Sequence, residues 1–253
     1  MWLTLLKKSV FNRKMLLVVF LGTTMMLLTF FYQGYMKPGQ FKLNMDLLSA
    51  YTIPFAASSF VIFCGIFPAI PYAYSYIEER SSGYLKFIQL RMSRKTYAVQ
   101  KIFFTGLSGG ASMLFMGILI FAWIDWIALD VSPENIQSVF ETLMWKPVIY
   151  LWGGRVVFAL KCILLFLFGV LWSELALMIS LIFKNRYVAF VLPFLIYELS
   201  WILIPVHLLN PVFLVRSDFD AQTPLWLPYL IDAVYIAAVI GINVFLFWRQ
   251  KKQ

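Results

Sequence analysis

Six long apolar runs dominate the chain, at about 15–34, 52–77, 102–126, 155–183, 187–205 and 228–248. A helix that crosses a hydrocarbon core about 30 Å thick needs about 20 predominantly apolar residues at 1.5 Å each. Every run is close to that length or longer, and none alternates polar and apolar positions as a barrel strand would. The pattern predicts an all-α integral membrane protein of six transmembrane helices. The run at 155–183 is long enough that it must tilt, kink or extend beyond the bilayer. Pro54, Pro68, Pro71 and Pro193 fall inside the runs, and Pro68 and Pro71 predict a kink in the second span.

Two further segments carry helical periodicity without being long enough to span. At the start, "MWLTLLKKSVFNRK" places Trp2, Leu5, Leu6 and Val10 largely apart from Lys7, Lys8, Arg13 and Lys14. That division suits a helix lying at the membrane interface. The apolar run that follows it exceeds the core of a signal peptide and lacks a small-residue cleavage pattern, so it is expected to be a retained first span. In "SPENIQSVFETLMWKP", Ser132 and Pro133 suit a helix start, and Ile136, Val139, Phe140, Leu143 and Met144 form one stripe. This predicts an outer amphipathic helix over 132–145, either a structural cover or an external gate or partner contact.

Composition agrees with the pattern. Hydrophobic residues make up 62% and charged residues 13% of 253, where a soluble domain carries about 25% charged. Six spans leave no length for a soluble catalytic domain. The net charge of +9 is informative through its distribution. Fifteen of the 21 basic residues fall on one side of the predicted spans: Lys7, Lys8, Arg13 and Lys14; Arg80, Lys86, Arg91, Arg94, Lys95 and Lys101; Lys184 and Arg186; and Arg249, Lys251 and Lys252. The positive-inside rule then puts both termini in the cytoplasm. The charge reads as topology, with no nucleic-acid partner implied.

Candidate chemistry is sparse. Cys64 and Cys162 lie in apolar runs without metal or disulfide spacing, and His207 is the single histidine. There is no H-E-x-x-H, G-x-S-x-G or Walker A motif, so no cofactor and no ATP chemistry is expected in this chain. Lys161 and Asp232 are expected to lie near outer span ends, and Lys161 to snorkel. Glu174 and Glu198 lie deeper, each about ten residues or roughly 15 Å from the turn at 184–187. Carboxylates at such depth are costly unless paired, protonated or hydrated. They are expected either to line a translocation path or to hydrogen-bond between helices as neutral carboxyls.

The most structured polar segment is "YIEERSSGYLKFIQLRMSRKTYAVQK", 76–101. Glu78 and Glu79 close the second span. Ser81 and Ser82 are possible caps and Gly83 permits a turn. Tyr84, Phe87, Ile88 and Met92 then recur at helical spacing, with Lys86, Gln89, Ser93 and Arg94 largely elsewhere. The segment reads as a short amphipathic helix followed by a basic re-entry, either resting on headgroups or docking a cytoplasmic partner.

In Glu78, Glu79, Arg80, Ser82, Gly83, Ser93, Arg94, Tyr97 and Lys101 this loop resembles the first cytoplasmic loop of ABC-2 type permease subunits of ATP-binding-cassette exporters. Two features depart from that pattern: Met92 stands where a Pro is usual, and the last outer loop, 206–227, is short. The resemblance implies six spans with both termini cytoplasmic in a bacterial cell membrane. It also implies a coupling helix, with Glu78, Glu79, Arg80, Gly83, Tyr84, Phe87, Ile88 and Arg94 as ATPase-coupling residues. ATP and Mg would be bound by a separate cytoplasmic ATP-binding-cassette ATPase. A second permease copy or paralogue would complete the pore among membrane lipid, and the exported substrate would be a peptide, drug or lipid-like molecule. In such a complex this chain is not itself an enzyme. Two other classes stay open: an intramembrane enzyme using Glu174, Glu198 or Asp232, and a non-enzymatic assembly or sensor subunit.

Overall fold

A computed structural model describes residues 2–37, 39, 42–43, 47–128, 145–183, 185–216 and 222–249. Among these residues the protein is helical, with no strand. Its helices are α1 (Trp2–Ser9), α2 (Arg13–Tyr32), α3 (Leu47–Ala57), α4 (Phe60–Phe63), α5 (Ser75–Ser81) and α6 (Tyr84–Arg91). They continue as α7 (Arg94–Ile127), α8 (Lys146–Trp152), α9 (Gly154–Ile182), α10 (Arg186–Leu203), α11 (Pro211–Arg216) and α12 (Leu227–Arg249). The expected outer helix at 132–145 falls outside the described residues, except for buried Trp145.

Four helices are long and apolar enough to cross a membrane: α2, α7, α9 and α12. α10 is apolar but shorter, at 18 residues, and carries Pro193 within it. The second apolar run is not one helix. It is divided into α3, α4, a 3-10 turn at Phe67–Ala69 and α5. Proline removes a backbone donor and clashes with the preceding turn, and this run holds three prolines along with Gly65. Ser58 donates its hydroxyl to the Pro54 carbonyl, so some freed backbone groups are satisfied by side chains, as a membrane interior demands.

The third predicted span starts earlier than its apolar run. α7 is 34 residues long, and its first turn is Arg94–Lys95–Thr96. Ser93 caps it by accepting from the Thr96 backbone N–H at 3.2 Å. The expected basic re-entry is thus the polar base of one continuous rod. Asn12 caps α2 in the same way, accepting from Met15 N–H at 2.7 Å.

α7 and α9 form the central pair. A side chain at Gly109 would collide with the Gly169 carbonyl, and one at Gly169 with that of Gly109. Gly110 similarly accommodates the Phe166 ring, and Gly117 the side chain of Leu165. Such small-residue seams let helix backbones approach closely in lipid. Around this seam pack Val18, Met26 and Phe30 of α2, Tyr51 and Phe55 of α3, and Tyr197 of α10. The outer surface exposes Leu16, Phe20, Leu28, Ile202 and Phe245, among others, as lipid-facing helices do.

Replacing Gly109 or Gly169 with Ala should destabilise the fold by about 1–3 kcal/mol, because the obstacle is rigid backbone. Gly241→Ala, which would meet nothing within 4 Å, should be neutral or stabilising by up to about 1 kcal/mol. Equilibrium unfolding in detergent distinguishes the two classes, and equal effects at the three sites would contradict the close contact.

Candidate functional site

Where α5 meets the base of α7, two side-chain pairs at i, i+4 spacing face each other. Ser75 and Glu79 lie on α5, and Tyr97 and Lys101 on α7. Residues four apart share one helix face, so each helix presents two polar groups to the other. Lys101 Nζ donates to Glu79 Oε2 at 2.9 Å and to Ser75 Oγ at 2.7 Å. Tyr97 Oη donates to the same Glu79 oxygen at 2.6 Å. Lys8 of α1 lies 3.7 Å from the other oxygen. The Lys101 side chain is only 1% exposed and Glu79 9%. Lys101 also sits 4.7 Å from the centre of the Tyr72 ring.

This is a buried ion pair, hydrogen-bonded at Glu79 Oε2 and Lys101 Nζ, that ties α5 to α7 with Lys8 of α1 close by. Further links run to the α1–α2 turn. Asn12 Nδ2 donates to the Pro71 carbonyl at 3.1 Å, and Ser108 Oγ to the Ser9 carbonyl at 2.8 Å. Glu78 faces outward and meets Lys14 at 2.8 Å, both half exposed; such a pair contributes little. The two adjacent glutamates therefore differ in role. Between α1, α5, α6 and α7 a cavity of about 250 Å³ is lined by Leu5, Lys8, Glu79, Tyr84, Met92 and Lys101, among others.

Past Glu79 the chain turns into α6. Ser82 Oγ donates to the Glu78 carbonyl at 2.7 Å. Gly83 then takes φ 73°, a left-handed conformation that glycine adopts without strain. The sequence predicts Tyr84, Phe87, Ile88 and Met92 on one apolar face, and the fold divides them. Leu85, Ile88 and Met92 pack inward near Tyr76, Tyr97 and Leu177. Tyr84, Phe87 and Leu90 point outward, 49%, 63% and 84% exposed. With apolar residues on both sides of so short a helix, only tertiary packing selects the buried one. Arg80 is half-buried and Arg94 exposed.

The two deep carboxyls lie on different helices, α9 and α10. Glu174 is fully buried. Its Oε2 accepts from Asn243 Nδ2 of α12 at 2.8 Å, and the same amide donates to the Glu174 carbonyl at 3.0 Å. Gly106 of α7 lies against it. α10 meets α9 through Tyr197, whose ring is 5.3 Å from that of Trp172. Glu198, the next residue of α10, is half-buried.

Lys161 differs from expectation. Instead of snorkelling, Lys161 is 3% exposed, with its Nζ 5.6 Å from the Tyr51 ring centre and 6.0 Å from that of Trp145. Asp232 is fully buried, one turn from Tyr229, whose hydroxyl donates to the Leu160 carbonyl at 3.0 Å. Sequence reasoning passed over Ser75, Lys8 and Asn243 as site residues. The signal for Ser75 is its i, i+4 spacing to Glu79; for Asn243 it is a lone amide within an apolar run. Among the described residues no group of three His, Cys, Asp or Glu could hold a metal.

Comparison with protein-family models, with curated proteins and with solved structures gives no match.

Removing one member of a buried ion pair strands the other and costs about 3–5 kcal/mol, whereas replacing both is far milder. Glu79→Gln and Lys101→Met should each lower thermal stability and folded yield sharply. The double variant should recover much of the loss. Additive losses in the double variant would contradict the pairing.

Proposed function

We propose that this chain is the transmembrane subunit of an ATP-binding-cassette exporter, with six spans, and that α6 docks on a separate cytoplasmic ATPase. The observation that carries the reading is the outward apolar face of α6, Tyr84, Phe87 and Leu90, on a helix whose other face is packed onto the bundle. A solvent-exposed patch of this kind marks an interaction surface. Exposed Lys86 and Arg91 flank it.

The mechanical consequence follows from the joints. α6 joins α5 through a two-residue turn at Ser82–Gly83, and α5 is clamped to α7 by Glu79 and Lys101. α7 continues for 34 residues without a break, at 1.5 Å per residue about 50 Å. A push on α6 is thereby passed to a rod longer than the hydrocarbon core is thick. Closure of an ATPase dimer upon binding ATP and Mg would supply that push. A second permease copy or paralogue would supply the other half of the pore. The exported substrate would be a peptide, drug or lipid-like molecule. In this role Glu78, Glu79, Arg80, Gly83, Tyr84, Phe87, Ile88 and Arg94 divide into a joint (Glu79, Gly83, Ile88), a contact surface (Tyr84, Phe87, Arg94) and two charges beside the joint, Glu78 paired with Lys14 and half-buried Arg80. The rival reading, an intramembrane enzyme, needs convergent carboxyls, and the Glu174 carboxyl is engaged by the Asn243 amide.

The chain, purified in mild detergent from its native host, should bring down a protein that carries a Walker A motif and hydrolyses ATP. Phe87→Glu with Leu90→Glu should lower its recovery at least tenfold while leaving the yield of the permease unchanged. Transport by the isolated chain without nucleotide would sink the reading, as would full ATPase recovery with the double variant.

A further inference from the structure

A second feature lies on another face of α7. Two cavities of about 540 and 430 Å³ share Val99, Ile102 and Val244 and so form one groove along α7 and α12. Its walls are apolar and open to the outside: Val99 is 63% exposed, Phe103 52% and Val244 45%. One end is marked by Ser93, Arg94 and Lys95, with Trp248 opposite. The other end is closed by Gly106, Val170 and Glu174, where the Glu174–Asn243 hydrogen bond joins α9 to α12.

Three observations specify the occupant. The first is length. From Arg94 to Gly106 the helix rises about 18 Å, close to one leaflet, which is half of the roughly 30 Å core. The second is charge. Arg94 and Lys95 are exposed at the mouth, and neither takes part in an ion pair among the described residues. By contrast, Lys8, Lys14 and Lys101 of the same end each meet a glutamate. The third is position. Exposed Trp248 and Arg249 end α12 beside this mouth, as residues at headgroup level do. The first-turn amides of α7 add partial positive charge there.

The geometry points to a binding site for one anionic phospholipid of the leaflet on this side, its phosphate at Arg94 and Lys95 and one acyl chain in the α7–α12 groove. The chain end would reach Gly106, where a side chain would crowd Val170 and Glu174. A lipid seated here fills the cleft beside the α7 base on which α6 and the Glu79 clamp rest. The site shares Arg94 with the contact surface of the transport reading, but its test stands apart from that reading, since none of its readouts involves nucleotide.

The test is native mass spectrometry of the full chain from mixed micelles with equal dioleoyl phosphatidylglycerol and dioleoyl phosphatidylcholine. Wild type should retain one phosphatidylglycerol per chain, preferred roughly tenfold over phosphatidylcholine, as two basic groups near a phosphate allow. Arg94→Gln with Lys95→Gln should bring the preference close to parity. Lys7→Gln with Arg13→Gln, an equal loss of charge away from the groove, should leave it unchanged. Val244→Trp should lower retention of both lipids, and glycerol phosphate without acyl chains should displace neither. Equal retention of the two lipids by wild type overturns the proposal whatever the variants do. So does a preference that survives the Arg94/Lys95 change. If Val244→Trp instead abolishes a dimer while lipid retention holds, the groove is an interface between copies and the proposal falls.

Discussion

In a bilayer two helices gain nothing by hiding apolar surface from each other, because lipid tails are as apolar as leucine. They associate through close packing and a few polar contacts. α7 and α9 meet that requirement at Gly109 and Gly169, where each backbone occupies the space a side chain would need on the other. The remaining helices are arranged around this seam. α2 and α3 add Met26, Phe30 and Tyr51 on one side, α10 adds Tyr197 on another, and α12 is joined to α9 by Asn243.

The polar contacts are placed according to depth. The full ion pair, Glu79 with Lys101, sits at the basic end of α7. There the cost of burying charge is offset by four partners: Tyr97, Ser75, Lys8 and the Tyr72 ring. Farther along, the link between helices is an amide on a carboxyl, Asn243 on Glu174. The result is a bundle whose basic end is tied together by the Glu79–Lys101 pair, with α6 joined to it by the short turn at Ser82–Gly83 and packed through Leu85 and Ile88.

α7 thus has distinct faces with distinct work. One carries the glycine seam, one the Glu79 clamp, and one the open groove toward α12 that ends in Arg94 and Lys95. The transport reading uses the clamp, and the lipid site uses the groove. Both depend on α7 being a single rod that starts at Ser93.

Membrane residence, helical class and the four long helices were legible in the sequence because a stretch of about 20 apolar residues has few other places to go. The turn at Gly83 and the helix after it were legible too, since glycine tolerance and helical spacing are local properties. The second apolar run was not. Its hydropathy is that of a span, but Pro54, Pro68 and Pro71 remove backbone donors, and whether a helix bends or breaks there depends on what neighbouring groups can satisfy. The partners of Glu79, the outward turn of Tyr84 and Phe87, and the pairing of Glu174 with Asn243 were decided by tertiary structure alone. Chain spacing gives depth and approximate azimuth within one helix. Which neighbour stands at that azimuth depends on how helices rotate against each other, and that rotation is fixed by contacts between helices, such as Gly109 with Gly169, which no single helix contains.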